Sequence, residues 1–241
     1  MKSTTKARSA APAAADPLPD DASVALAEAE AGSGTPEGAC AKPRRARGRP
    51  LSFDRDAALE SAMHVFWERG YEAASIADLT AAMGITPPSL YTAFGDKEKL
   101  FLEAIERYAL GYGSISARAL REEPTARGAI ERWLTESANE LTEPCHPKGC
   151  MVVMAATNCS AAAERVQAAL CLRRAEAIAN VGRRIQGGID SGELPASTDA
   201  TALANFYAAI YQGMSLQAKD GATHEALMAT VRTAMSAWPG G

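Results

Sequence analysis

Residues 75–94, SIADLTAAMGITPPSLYTAF, decide the reading of this chain. Ser75 followed three positions later by Asp78 is a capping box, in which the hydroxyl accepts from an unpaired first-turn N–H and the carboxylate reaches back to the cap. Ile76, Leu79 and Met83 then recur at helical spacing up to Gly84, a natural C-terminal stop. The spacing predicts a helix over 76–83. Thr86 stands at the cap of the next helix, Pro87 fills a first-turn position where a missing N–H costs nothing, and Gly95 follows Phe94 as terminator, so a second helix is predicted over 87–94. Two short helices joined by so tight a turn have helix-turn-helix spacing, in which the second helix enters the DNA major groove and the first crosses the backbone.

Working outward, Leu59, Ala62, Met63, Phe66 and Trp67 mark a supporting helix that starts near Asp54 and is stopped by Gly70. Downstream, Asp96 caps a segment with Leu100, Phe101, Ala104, Ile105 and Tyr108 on one stripe, the expected connecting helix. Upstream, Lys42, Arg44, Arg45, Arg47 and Arg49 form a block of one sign, ending in Gly48 and Pro50. Such an arm beside a helix-turn-helix can follow phosphates or enter the adjacent minor groove. Residues 1–41, rich in Ala, Pro, Gly, Ser and acids without a helical stripe, read as a disordered tail.

The run from Arg49 to Tyr108, with FWERGYEAASIADLTAAMGITPPSLYTAFGDKEKLF at its centre, resembles the DNA-binding domain of TetR/AcrR-type transcriptional regulators. The combination carries the resemblance: Phe and Gly-Tyr closing the first helix, Ser-Ile-x-x-Leu, Met-Gly-Ile at the turn, and Ser-Leu-Tyr-x-x-Phe-x-x-Lys-x-x-Leu. Two departures stand out. Ala93 replaces a His or other polar residue common before the Phe, and Pro87-Pro88 replaces small or polar residues, leaving fewer side chains for base edges. Tyr91, Lys97 and Ser75 are the expected phosphate contacts; Thr86, Pro87, Ser89 and Thr92 face the bases, with Ser89 and Thr92 the preferred readers.

The formal net charge of −4 matters less than its distribution, since the basic arm concentrates positive charge beside the motif. With 47% hydrophobic residues over 241 positions and no alternating β-branched run, the expectation is an all-α protein: a disordered tail over 1–41, a basic arm over 42–50, a three-helix DNA-binding domain over 51–111, and a helical-bundle regulatory and dimerisation domain over 112–241. No apolar stretch approaches the ~18 residues that span a bilayer. The N-terminus lacks an apolar signal core, so the expected location is the cytoplasm, with no membrane partner.

From 112 onward, helical stripes run through Ile130, Trp133, Leu134 and Leu141 before Pro144, and through Val166, Leu170, Ile178, Val181 and Ile185 before Gly187 and Gly188. Asp199 and Thr223 cap two further helices. The resemblance implies that these last two pair with a second subunit, giving a homodimer on a roughly palindromic double-stranded operator, and that the bundle holds a small-molecule effector whose binding releases DNA. Trp133, Met154, Phe206, Tyr207 and Tyr211 are the candidate lining residues.

Cys145 and Cys150, the first in a Pro-bounded loop with His146 and Lys148, raise a thiol- or metal-responsive variant of the same regulator. The spacing C-H-x-x-x-C matches no zinc signature, and no metal site or cofactor is expected. A constitutive activator is the remaining alternative. An enzyme fits poorly: there are three His residues, no Gly-rich phosphate loop after a strand, and no nucleophile elbow.

Overall fold

The computed structural model describes residues 53–155, 160 and 163–240; the tail over 1–41 and the basic arm lie outside them. The described residues form ten α-helices and no strand: α1 (Arg55–Ala73), α2 (Ile76–Met83), α3 (Pro87–Phe94), α4 (Lys97–Leu110), α5 (Ile115–Glu122), α6 (Ala126–Thr142), α7 (Met151–Met154), α8 (Glu164–Asp190), α9 (Ala200–Lys219) and α10 (His224–Ser236). A 3-10 turn at Tyr112–Ser114 joins α4 to α5.

Capping residues set most of the starts. Asp54, Asp96, Thr125, Asp199 and Thr223 each accept a first-turn N–H through the side chain, offsetting donors that the helix itself leaves unpaired. Ser75 and Asp78 form the reciprocal capping box expected of them. Thr86 differs: it occupies the cap position of α3 but makes no capping bond, and its hydroxyl pairs with that of Ser89 at 3.0 Å. Pro88 at the second helical position has no N–H to give, which removes one of the two donors a cap residue normally captures.

Gly70 interrupts α1 with φ 79° and ψ 170°, a conformation nearly confined to glycine. The chain turns there so that the Tyr71 N–H donates to the Ala155 carbonyl at 2.9 Å. Gly187 and Gly188, by contrast, do not stop α8, which continues to Asp190. Gly188 is buried, and a Cβ on it would lie 2.7 Å from the Ala126 Cβ, so it serves close approach to the start of α6 rather than termination.

Helices α1 to α4 pack around Phe66, Phe101, Leu79, Leu90 and Phe94, all buried. Phe66 and Phe101 meet edge to face at 5.0 Å, and Trp67 meets Tyr108 the same way at 4.9 Å. Such pairs add about 0.5–1.5 kcal/mol each beyond area burial. The core continues without a break into α6, α8, α9 and α10 through Trp133, Leu134, Leu170, Ile185, Tyr207 and Leu227. Glu193, in the turn after α8, accepts from the N–H groups of Ala126 and Arg127 at 2.6 and 2.8 Å and so caps α6 from a distance in sequence.

Candidate nucleic-acid interface and effector cavity

Helix α3 buries Leu90 and Phe94 and turns Thr86, Pro87, Pro88, Tyr91 and Thr92 to solvent, with Ser89 half-buried. Tyr91 is 50% exposed, free to donate its phenolic O–H to a phosphate. The hydroxyl of Thr92 donates to the Pro88 carbonyl at 2.8 Å. Ser75 donates to the Asp78 carboxylate at 2.6 Å, so its hydroxyl proton is already engaged.

Lys97 lies 4.5 Å from the centre of the Tyr71 ring and donates to the Glu72 carbonyl at 3.4 Å. Partial burial lowers its pKa, with Glu72 acting in the opposite sense. The other cations of the reading head are also occupied: Arg55 by Glu103 and Ala93, Arg69 by Asp78, Lys99 by Asp96 and Arg107 by Glu60. From Phe53 to Leu110 the chain holds ten acids against five Lys and Arg residues. This segment by itself does not attract a polyanion.

A partly open cavity of about 160 Å³ is bordered by the end of α4 and by α5, α6, α7, α8 and α9. Its wall includes Tyr108, Tyr112, Trp133, Cys150, Val152, Val153, Ile178 and Tyr211, with Ser137, Glu140, Arg173, Arg174 and Gln212 as polar elements. Burial pushes the phenols of Tyr108 and Tyr211 well above their ordinary range, and the neighbouring Cys150 thiol adds to both shifts. Both tyrosines are therefore neutral donors at physiological pH.

Of the expected lining residues, Trp133 and Tyr211 border this cavity and lie against each other at 5.3 Å. Met154, Phe206 and Tyr207 are not in its wall. Tyr207 points to α10, donates to the Ala234 carbonyl at 3.2 Å, and burial pushes its pKa up to about 12. Phe206, one position earlier on α9, is exposed. Helical periodicity separates the two rings by about 100°.

The loop before α7 stitches the cavity to the reading head. Gly149 accepts a hydrogen bond from the Trp67 indole of α1 at 2.8 Å, and the Cys150 N–H donates to Ser215 of α9 at 2.7 Å. His146 stacks on Trp67 at 4.6 Å and sits 3.0 Å from Glu140, while Cys145 beside it is exposed. The sequence places His146 in a Pro-bounded loop; the structure buries it, stacked on the flat Trp67 face more than seventy residues away. Ser160 completes the seam, donating from N–H and hydroxyl to the Glu72 carboxylate at 2.9 and 2.7 Å. No local signal marks Trp67, His146, Gly149 or Ser160 as joint members.

The fold and the helix-turn-helix define a DNA-binding protein whose helical body contains a largely apolar cavity. The chain belongs to the TetR family of bacterial regulatory proteins: residues 58–104 match the family's N-terminal domain, and residues 125–238 match a tetracyclin repressor-like C-terminal domain. It is 36% identical over 197 residues to the HTH-type transcriptional repressor ComR of Escherichia coli K12, covering 81% of this chain and 94% of that one. Among solved structures it is similar to the TetR family regulator CifR, a triple-cysteine mutant in complex with 26-bp double-strand operator DNA, at 46% identity and a TM-score of 0.77, covering 80% of this chain and all of the other. A TetR regulator from Rhodococcus sp. RHA1 is 38% identical with a TM-score of 0.53, covering 77% and 99% of the two chains.

Proposed function

We propose that this protein is a homodimeric, cytoplasmic, non-enzymatic repressor that holds a roughly palindromic operator through its two α3 helices and releases it when a small, largely apolar molecule occupies the cavity. The observation that carries release is the position of Cys150. Its thiol borders the cavity, its N–H is bonded to α9, and the carbonyl of the preceding residue is bonded to Trp67 in α1. A ligand that displaces this residue moves the contact holding α1. Release follows if the ligand prefers the displaced arrangement, because a ligand shifts an equilibrium only by its differential affinity for the two states.

Exposed apolar residues support association of two copies. Leu172, Ala175 and Ala179 on α8, with Phe206, Ala209 and Leu216 on α9, face solvent along neighbouring helices. They favour a dimer face on α8 and α9, whereas the family resemblance implies α9 and α10. The buried thiol also favours a second version, in which the signal is a thiol-reactive species that modifies Cys150 inside the cavity.

The test is selection of genomic fragments by the purified protein, followed by a thermal-shift screen of small apolar molecules. Enrichment of an inverted repeat bound by two subunits is expected, and a compound that raises the melting temperature is expected to lower operator affinity. Binding without sequence preference would falsify the reading. Loss of release on Cys150→Ser, with operator binding intact, would select the thiol-reactive version.

A further inference from the structure

From Gly84 to Phe94 the chain carries no Lys, Arg, His, Asn, Gln, Asp or Glu. The bidentate bonds that identify guanine and adenine, and the acceptors that identify cytosine, come from that set. The aliphatic hydroxyls that remain on α3 are engaged locally: Thr86 pairs with Ser89 at 3.0 Å, and Thr92 donates to the Pro88 carbonyl, which leaves the Tyr91 phenol, the expected phosphate contact, as the free one. What the start of α3 presents outward is largely apolar, namely the rings of Pro87 and Pro88 beside the methyl-bearing Thr86, with Thr92 exposed one turn later. Among the groups exposed in the major groove, the thymine 5-methyl is the apolar one.

We infer that this regulator reads its operator half-sites through thymine methyl groups, packed against Pro87 and Pro88. The inference rests on the DNA-binding function proposed above and adds the chemistry of recognition. Both prolines are rigid, with φ already set for the helix, so burying their rings orders little that was free. Contacts of this kind release no counterions. Discrimination by α3 is therefore independent of salt, while overall affinity, which depends on cations outside an acidic reading head, is not.

The experiment uses the full-length protein and the operator obtained by selection. Each thymine of one half-site is replaced in turn by deoxyuridine, which lacks only the methyl group, and affinity is measured by gel shift at two salt concentrations. At about one to three positions, affinity should fall roughly fourfold, the worth of one buried methyl, and by the same factor at both salts. In the double variant Pro87→Ala, Pro88→Ala, whose alanines suit a first helical turn, the same replacements should have less than about a twofold effect. Circular dichroism and melting confirm that the variant is folded.

Equal binding of the thymine and deoxyuridine operators overturns the inference, as does a full methyl penalty retained in the alanine variant. Absence of any selected sequence overturns the inference together with the function on which it rests. An enriched inverted repeat that is indifferent to its methyl groups overturns the inference alone.

Discussion

Asp78 shows how one side chain serves two elements. Its carboxylate accepts from the Ser75 hydroxyl and backbone N–H, closing the cap of α2, and holds Arg69 of α1 at 2.6 Å. The Ser75 bonds, with Arg69 adding to them, hold its pKa down at about 2 against an ordinary 3.8. A carboxyl depressed in this way contributes stability that is complete above its unfolded value and is lost as pH falls through the folded one. The melting-temperature gap between wild type and Asp78→Asn should therefore be steady from neutral pH to about 4 and close as pH falls from there towards 2. A gap that persists to the acid limit would contradict this assignment. The cap was legible at the residue scale because Ser75 and Asp78 are three apart; the Arg69 partner was not, since it comes from another helix.

Among the elements, α1 is the one whose end is tied to the helical body. The break at Gly70 lets Tyr71 donate to Ala155 and brings Glu72 to Ser160, while Trp67 one turn earlier reaches Gly149. Alanine at position 70 would be strained by its backbone conformation alone, and its Cβ would meet the Ala155 carbonyl oxygen at 3.3 Å. Gly70→Ala should cost about 1–3 kcal/mol, measured by urea denaturation with an unchanged m-value. Stability equal to wild type would mean that the turn relaxes without losing its hold on α7. Periodicity locates α1 to α4, α6 and α8 to α10, because amphipathic stripes and side-chain caps are local. It passes over α5 and α7, which span only eight and four residues, too short for an apolar stripe to repeat.

At the level of the whole molecule, the proposed recognition divides between charge and apolar surface. The described cations of the reading head are paired with acids, carbonyls or a ring, and the proposed function therefore assigns phosphate neutralisation to the arm of Lys42, Arg44, Arg45, Arg47 and Arg49. Replacing these five with neutral residues should weaken operator binding and flatten its dependence on log salt by about 0.9 for each phosphate left without a cation, whereas deleting residues 1–41 should leave the slope unchanged. Gel-shift titrations at several salt concentrations decide this; a slope unaltered by neutralising the arm removes it from the interface.

Local spacing was enough for the helical class, the helix-turn-helix, the caps at Ser75, Asp96, Asp199 and Thr223, and the placement of Tyr91 on the outer face of α3. Those features depend on residues within one or two turns of each other, where spacing is geometry. Only the tertiary structure decided that Trp133 and Tyr211 border the cavity while Tyr207 turns to α10, that Lys97 is held on Tyr71, and that a buried His146 and the Gly149 carbonyl tie Trp67 to the cavity thiol. Such pairings join residues tens of positions apart, and no periodicity along the chain records which faces of which helices meet.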